Sequence, residues 1–300
     1  MAVPDSGNPV SLAGIRAEID NNAYNASATT LTSLQTIATE TSINSNSSSV
    51  PNSSAPHAMS EWYSYDHDAA ASFADSVSFD FDGANDYLTR NPIDGLETTG
   101  SVSAWVKLDA MSANGFIFQI REEEGSDNQI ILLWNNASGV IRGNVKFAGT
   151  SNTADSGSGL ENDGNWHHVV LTWKSGDRTA ANNITRIYID GSQTDSDAIG
   201  NTWNGTAGEL VIGRNSIQSN GYFNGHMNDY AIFSDVLTSS EVSAIYNSGA
   251  PKDESSHSGL VAYYTMEAYS DSDTTLADDS GNSNTITITN STNIDSTDTP

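Results

Sequence analysis

Two short runs in this 300-residue sequence bring together side chains able to do chemistry. His167-His168 lies in Asn165-Trp-His-His-Val-Val-Leu-Thr-Trp173, a strand-like run. Imidazoles act as general bases or metal ligands near neutral pH. Adjacent residues on a strand point to opposite faces, however, so this pair cannot grip one ion and reads as structural. Glu122-Glu-Glu124 gathers three carboxyls, and glycoside hydrolysis needs two held across a scissile bond. Three consecutive glutamates beside Gly125 read instead as a solvated charge run in a hairpin turn. There is no Gly-x-Ser-x-Gly, phosphate loop or zinc-spaced His cluster. Zero cysteines exclude disulfides, thiolate zinc sites and cysteine nucleophiles. The expectation is a protein that is not an enzyme and has no catalytic residues.

The charge balance narrows the partners. The chain holds 38 acidic residues against 11 Lys and Arg, a net charge of -27. Such a surface repels phosphate backbones and anionic lipid, so neither nucleic-acid binding nor membrane insertion is expected. Arg16 is the only cation before Arg90, and Lys252 the only one after Arg214. No apolar run reaches the length of a membrane span, and no basic-then-apolar signal peptide follows Met1. Synthesis in the cytosol is expected, with release by lysis or assembly into a particle.

The elements that must position any site are mostly strands. Val77-Ser-Phe-Asp-Phe81 and Val102-Ser-Ala-Trp-Val-Lys-Leu108 alternate with period two. Further candidates are 115–120, 129–134, 140–147, 166–173, 184–190, 210–213, 226–233, 259–266 and 285–289. One helix interrupts them: Thr238-Ser-Ser-Glu241 is a capping box, Val242, Ile245 and Tyr246 form its stripe, and Gly249 then Pro251 end it. Residues 1–76 differ in texture. Leu12, Ile15 and Ile19 form a short helical stripe with Ser11 as N-cap, too short to stand without a docking partner. Leu31, Leu34 and Ala38 suit a small packed helix or a trimeric coil. Ser and Asn make up more than half of 41–60, a linker composition that ends at the aromatic anchor Glu61-Trp-Tyr-Ser-Tyr-Asp66.

The ordered set Phe79-Asp-Phe-Asp-Gly-Ala-Asn-Asp-Tyr87, Val102–Val106, Asn165–Trp173, Ile187-Tyr-Ile-Asp-Gly191, Leu210-Val-Ile-Gly213, Asn224–Phe233 and Leu237–Val242 resembles the laminin-G-like branch of the concanavalin A-like lectin/glucanase superfamily. That resemblance implies an all-β, antiparallel two-sheet jelly-roll sandwich with one short helix over 77–300. The segment 259–289 is expected to fold back and complete it. A small irregular, partly helical module over 1–76 precedes it. Pro-Val-Ser-Leu-Ala-Gly-Ile-Arg-Ala-Glu near the start and Met-Ser-Glu-Trp-Tyr-Ser-Tyr near residue 60 resemble the leader of marine phage structural proteins.

The resemblance also implies sites. In the glucanase relatives the catalytic acids alternate as Glu-x-Asp-x-Glu, which this chain lacks. Trp-His-His is a structural signature there, one imidazole facing inward and hydrogen-bonded. Calcium-binding members place an ion between the Asp278–Asn284 turn and the strand from Gly225, which nominates Asp278, Asn228 and Asp229, with Asp82 and Asp86 as further ligands. The alternative is that these acids simply build Asx turns. Glycan binding is common in the family, and Trp134, Trp203 and Tyr222 are the aromatics nominated to stack on a sugar, or else to fill rim and core. The expected whole is a tail or neck fibre component or capsid appendage on the virion surface. Residues 1–76 would bind other virion proteins and oligomerise, a trimer being favoured, and the sandwich would meet cell-surface glycans. A glycan-binding module or glycan-processing enzyme outside any virion is the alternative.

Overall fold

The computed structural model describes residues 11–21, 34–38, 43, 47, 50–51, 54, 58–65, 73, 75–122, 125, 127–135, 137–176, 183–205, 207–217, 220–267, 273–290, 294–295 and 298–300. The chain divides into two compact units, Met1–Phe73 and Ala74–Pro300.

In the first unit, α1 (Leu12–Asn21) begins where the Ser11 hydroxyl accepts the Gly14 N–H at 3.0 Å, the expected cap. Its stripe does not stand alone. Ile15 and Ile19 pack with Ile37 and Ala38 of α2 (Leu34–Ala38) and with Trp62 and Tyr65, whose rings meet edge to face at 5.3 Å. The aromatic run anchors its own unit's core. Leu31, Asp66 and residues 1–10 lie outside the described residues, as does most of the Ser/Asn-rich stretch.

The second unit is the expected sandwich of two antiparallel sheets. Sheet A runs β10 (Ser192–Ala198), β9 (Ile184–Ile189), β8 (His167–Lys174), β3 (Thr99–Leu108), β12 (Asn224–Phe233), β1 (Ser78–Asp82), β16 (Ile294–Asp295), with β13 (Leu260–Tyr264) also paired to β12. Sheet B runs β14 (Thr275–Leu276), β15 (Ile286–Thr289), β2 (Tyr87–Arg90), β11 (Ala207–Ile212), β4 (Gly115–Glu122), β5 (Gln129–Asn135), β6 (Val140–Phe147), β7 (Thr150–Ser158). Segment 259–289 thus supplies strands to both sheets. Period-two residues such as Val106, Ile141, Val145 and Leu171 turn inward to meet Phe79, Phe118 and Trp173. Each such side chain contributes about 1.5–3 kcal/mol by leaving water.

Strands β7 and β10 have no apolar alternation, and their sequences read as turns. They are edges, and side-chain oxygens tie them together: Asp197 accepts the Thr153 N–H and Asp195 the Asp155 N–H, each at 3.0 Å. Those carboxylates satisfy and blunt an otherwise open strand edge. The helix α3 (Ser239–Tyr246) is capped by Thr238 and Glu241 as expected, but Asn247 closes it in the left-handed region at φ 48°, ahead of Gly249.

Candidate functional site

At one end of the sandwich three loops enclose a depression of about 290 Å³. The end of β1 supplies Asp82, the β3–β4 loop Met111 and Asn114, the β11–β12 loop Asn220 and Tyr222, and the start of β12 Asn224. Local chemistry fixes each wall. Asp82 Oδ1 accepts the Ala84 and Asn85 N–H groups at 2.7 and 3.3 Å, forming an Asx turn. Gly83 follows at φ 73°, where an added Cβ would lie 3.0 Å from Asn224 Cβ. Asn224 zips two walls together: its carbonyl accepts the Asp109 N–H and its amide donates to Ala110 O. The Phe116 N–H donates to Gly221 O at 2.9 Å and joins the third wall. An adjoining depression of about 320 Å³ shares Asn114 and Asn220. Beneath the turn, burial and the neighbouring Asp82 push the Asp86 carboxyl up to about 6. Its proton is favoured by a hydrogen bond between the two acids.

Of the three nominated aromatics, only Tyr222 lines this cleft. Trp134 shares the inward parity of Ile130 and Leu132 on β5 and lies in the core at 2% exposure. Trp203 sits on a loop yet turns into the core, its ring 5.7 Å from that of Phe147. Neither offers a face to a sugar, which corrects that expectation. A loop position does not set side-chain direction. The cleft amides Asn114, Asn220 and Asn224 were not singled out from sequence. Each directly precedes a glycine, a signal too common to choose them.

The nominated cation ligands occupy three separate places. Asp82 and Asp86 belong to the cleft turn. Asp278 takes N–H groups from Tyr263, Ser280 and Asn284 at 2.9, 3.0 and 2.8 Å, which is the Asx-turn alternative. Tyr263 then separates Asp278 from Asp229, since its hydroxyl donates to Asp229 Oδ1 at 2.5 Å. Asn228, buried, gives its amide to Asp75 and accepts the Asp229 N–H at 2.7 Å. Burial pushes Asp229 up to about 8, helped by Asp75 and Glu254, and burial with Glu267 nearby raises Asp75 to about 6. Burial makes ionising these carboxyls costly, a cost that a divalent ion would offset. Among the described residues, however, no three His, Cys, Asp or Glu side chains converge on one point. As they stand, the residues do not form a calcium cage.

The histidines and glutamates are framework. His167 lies between Asp190 and Asp163, its ring nitrogens 2.9 and 3.0 Å from their carboxylates. His168, on the other face, is stacked near Trp105 and Tyr246 with Nε2 2.8 Å from Ser103 Oγ. Asp190 and Gly191 form the β9–β10 turn with φ 48° and 76°, suited to a tight hairpin. Glu122 is not solvated as expected. It is buried and accepts the Asp127 N–H at 2.7 Å and the Asn128 amide at 2.6 Å. Burial would raise its carboxyl, but these donors outweigh burial and hold it below its ordinary value. Glu123 and Glu124 lie outside the described residues. On the outer face of sheet B, Glu209 pairs with Arg121 at 2.9 Å and Asp155 with Arg142 at 2.6 Å.

Three solved structures are similar to this chain. A candidate carbohydrate-binding protein from Bacteroides ovatus matches at 18% identity and TM-score 0.55, over 76% of this chain and 62% of that one. This chain therefore spans less than two thirds of that protein, and the likeness shows the sandwich fold. A heptameric SAP-like pentraxin from Limulus polyphemus matches at 16% identity and TM-score 0.46, over 57% and 82% of the two chains. The Ruminococcus gnavus IT-sialidase CBM40 bound to α2,3 sialyllactose matches at 12% identity and TM-score 0.44, over 58% and 100%. A laminin-G family model matches residues 82–243, more than half of the length, from the Asp82 turn into the capped helix. The chain belongs to the concanavalin A-like lectin/glucanases superfamily.

Proposed function

We propose that this chain is a non-catalytic glycan-binding protein that seats a sugar in the loop-end cleft. One observation carries the reading: a carboxylate, three amides and a tyrosine ring converge on one open depression. Amides and a carboxylate match the donor and acceptor pattern of sugar hydroxyls, and the phenol ring suits the apolar face of a pyranose. The Bacteroides ovatus protein is described as carbohydrate-binding, which agrees. The test is a glycan array followed by calorimetry on the best binder. Tyr222→Ala is expected to weaken binding at least tenfold, about 1.4 kcal/mol, with an unchanged melting temperature. Equal affinity in the variant sinks the cleft as the site.

Absence of catalysis is part of the proposal. It is supported by the lack of the alternating Glu-x-Asp-x-Glu run that the glucanase relatives use. New reducing ends after incubation with bound oligosaccharides would refute it. For calcium, the proposal favours the corner of Asp75, Asn228 and Asp229 over the Asp278 turn. An ion there would require Tyr263 and Asn228 to release the carboxylates they hold. A melting temperature higher in Ca²⁺ than in EGTA, and lost in Asn228→Leu, supports the ion; no shift removes it. Display on a virion surface through residues 1–76, as a trimer, is proposed from the leader resemblance. Particle proteomics and light scattering of the purified chain test it.

A further inference from the structure

On the outer face of sheet A, three side chains gather around a residue far along the chain. Val106 and Leu108 turn into the core, so Lys107 between them points outward. Its cross-strand partner is His226. Trp166 enters β8 beside them, its ring 6.1 Å from that of His226. Two donors and a more distant imidazole nitrogen surround one carboxylate, Asp298. Lys107 Nζ lies 2.6 Å from Oδ2, Trp166 Nε1 donates to Oδ1 at 2.8 Å, and His226 Nε2 is 3.7 Å from Oδ2. Burial would raise the Asp298 carboxyl; Lys107 and Trp166 outweigh it and hold the group below the usual range.

Among the described residues, β16 pairs with β1 through Ile294 and Asp295, and the Ser78 hydroxyl donates to Asp298 O at 2.7 Å. Ion pairs of this exposure contribute little on their own. What keeps Asp298 seated is its covalent attachment, equivalent to an effective concentration on the order of millimolar. In a chain with 11 Lys and Arg, spending a lysine, a histidine and an indole N–H on one carboxylate marks a place selective for that group.

We propose that Lys107, Trp166 and His226 form a carboxylate-recognition site for acidic sugars, with Asp298 as its built-in competitor. The ligand's carboxylate takes the position of the Asp298 side chain, and its saturated ring lies along the half-buried indole. Selectivity is for one carboxylate at short range, because the net charge of -27 repels polyanions at a distance.

The experiment titrates the full-length chain with D-glucuronate, with D-glucose and acetate as controls, following the Trp166 indole N–H by NMR. Asp298→Ala is expected to bind glucuronate at least tenfold tighter than the parent chain and to ignore glucose. Adding Lys107→Ala to Asp298→Ala should abolish that gain. Asp298→Asn, which keeps an oxygen for the indole, guards against a variant that loosens the fold and should give an intermediate gain. The cleft is separate, and the Asp298→Ala gain is read at the Trp166 indole rather than at the cleft; failure of one site does not decide the other. The proposal is overturned if Asp298→Ala binds glucuronate no better than the parent. It is equally overturned if only a peptide of residues 295–300 binds, for then the site is a clasp for this segment, in cis or from a second copy.

Discussion

His167 and His168 are neighbours on β8, yet the two faces of that strand treat the same side chain in opposite ways. On one face, His167 faces two carboxylates. The Asp190 hydrogen bond and then Asp163 raise its pKa against the opposing effect of burial. On the other face, α3 covers the sheet, and His168 is enclosed among Trp105, Tyr246 and Ser103. There burial pushes the ring down to about 4, against a weak pull from Asp190. One ring is pushed toward its charged form and the other is held neutral. Cover by α3 and the placement of Asp190 make the difference, since residue type and strand are shared. A paired imidazole motif can therefore be wholly structural.

The largest effect that would break this comparison is loss of the neutral ring. His168→Ala removes a fully buried ring and leaves Ser103 without its partner. By analogy with other large-to-small core changes it is expected to cost about 4 kcal/mol. At roughly 2–4 °C per kcal/mol for a unit of this size, melting followed by near-ultraviolet circular dichroism should fall by about 8–16 °C. A fall of less than 2 °C would mean that α3 does not depend on this ring.

Acid gives the next largest effect. His168 has a folded value of about 4 against an ordinary 6.5, so the unfolded chain binds the proton more readily between those values. Stability from this group is present above pH 6.5 and is lost as the pH falls toward 4. The full loss is about 3 kcal/mol. Asp75, Asp86 and Asp229 work in the opposite sense, because their raised values favour the folded state on acidification. The measurement is therefore a difference. His168→Phe keeps an aromatic ring and does not titrate. The gap between variant and parent should shift in the variant's favour as pH falls from 7 to 4. A constant gap would show that the ring is not held neutral.

What could be read ahead of the structure follows the same division. Where one face of a strand is buried and the other half-exposed, the apolar alternation shows it, as in β6. The opposite faces of His167 and His168 followed from strand geometry alone. β7 and β10 escaped because they are largely exposed edges held together by carboxylates across the edge, which leave no periodic signal. Trp134 and Trp203 were misplaced because a large aromatic near a turn can swing either way, and only the packing against Phe147 and its neighbours decides. Glu122 was misread because a charge run says nothing of which member turns inward to meet Asn128. The cleft was half legible: Tyr222 and Asp82 were nominated, for different roles, while the loop closure that unites them with Asn224 depends on pairings more than a hundred residues apart.

The smallest effect sharpens the other side of the comparison. His167 has a raised folded value, so its contribution is fully present below pH 6.5 and is lost as the pH rises through the folded value. Asp163 and Asp190 are partly exposed, with side-chain exposures of 26% and 36%, and water and salt screen the pairing. About 1 kcal/mol is expected at pH 6, read as a melting temperature about 2–4 °C lower in His167→Gln. The difference should shrink as pH rises and also as salt is added at pH 6. Salt should leave the His168→Phe difference alone, because a neutral buried ring has no charge to screen. If the His167→Gln difference is the same at every pH, the imidazole is not held charged by its two aspartates, and both faces of β8 then favour the neutral ring.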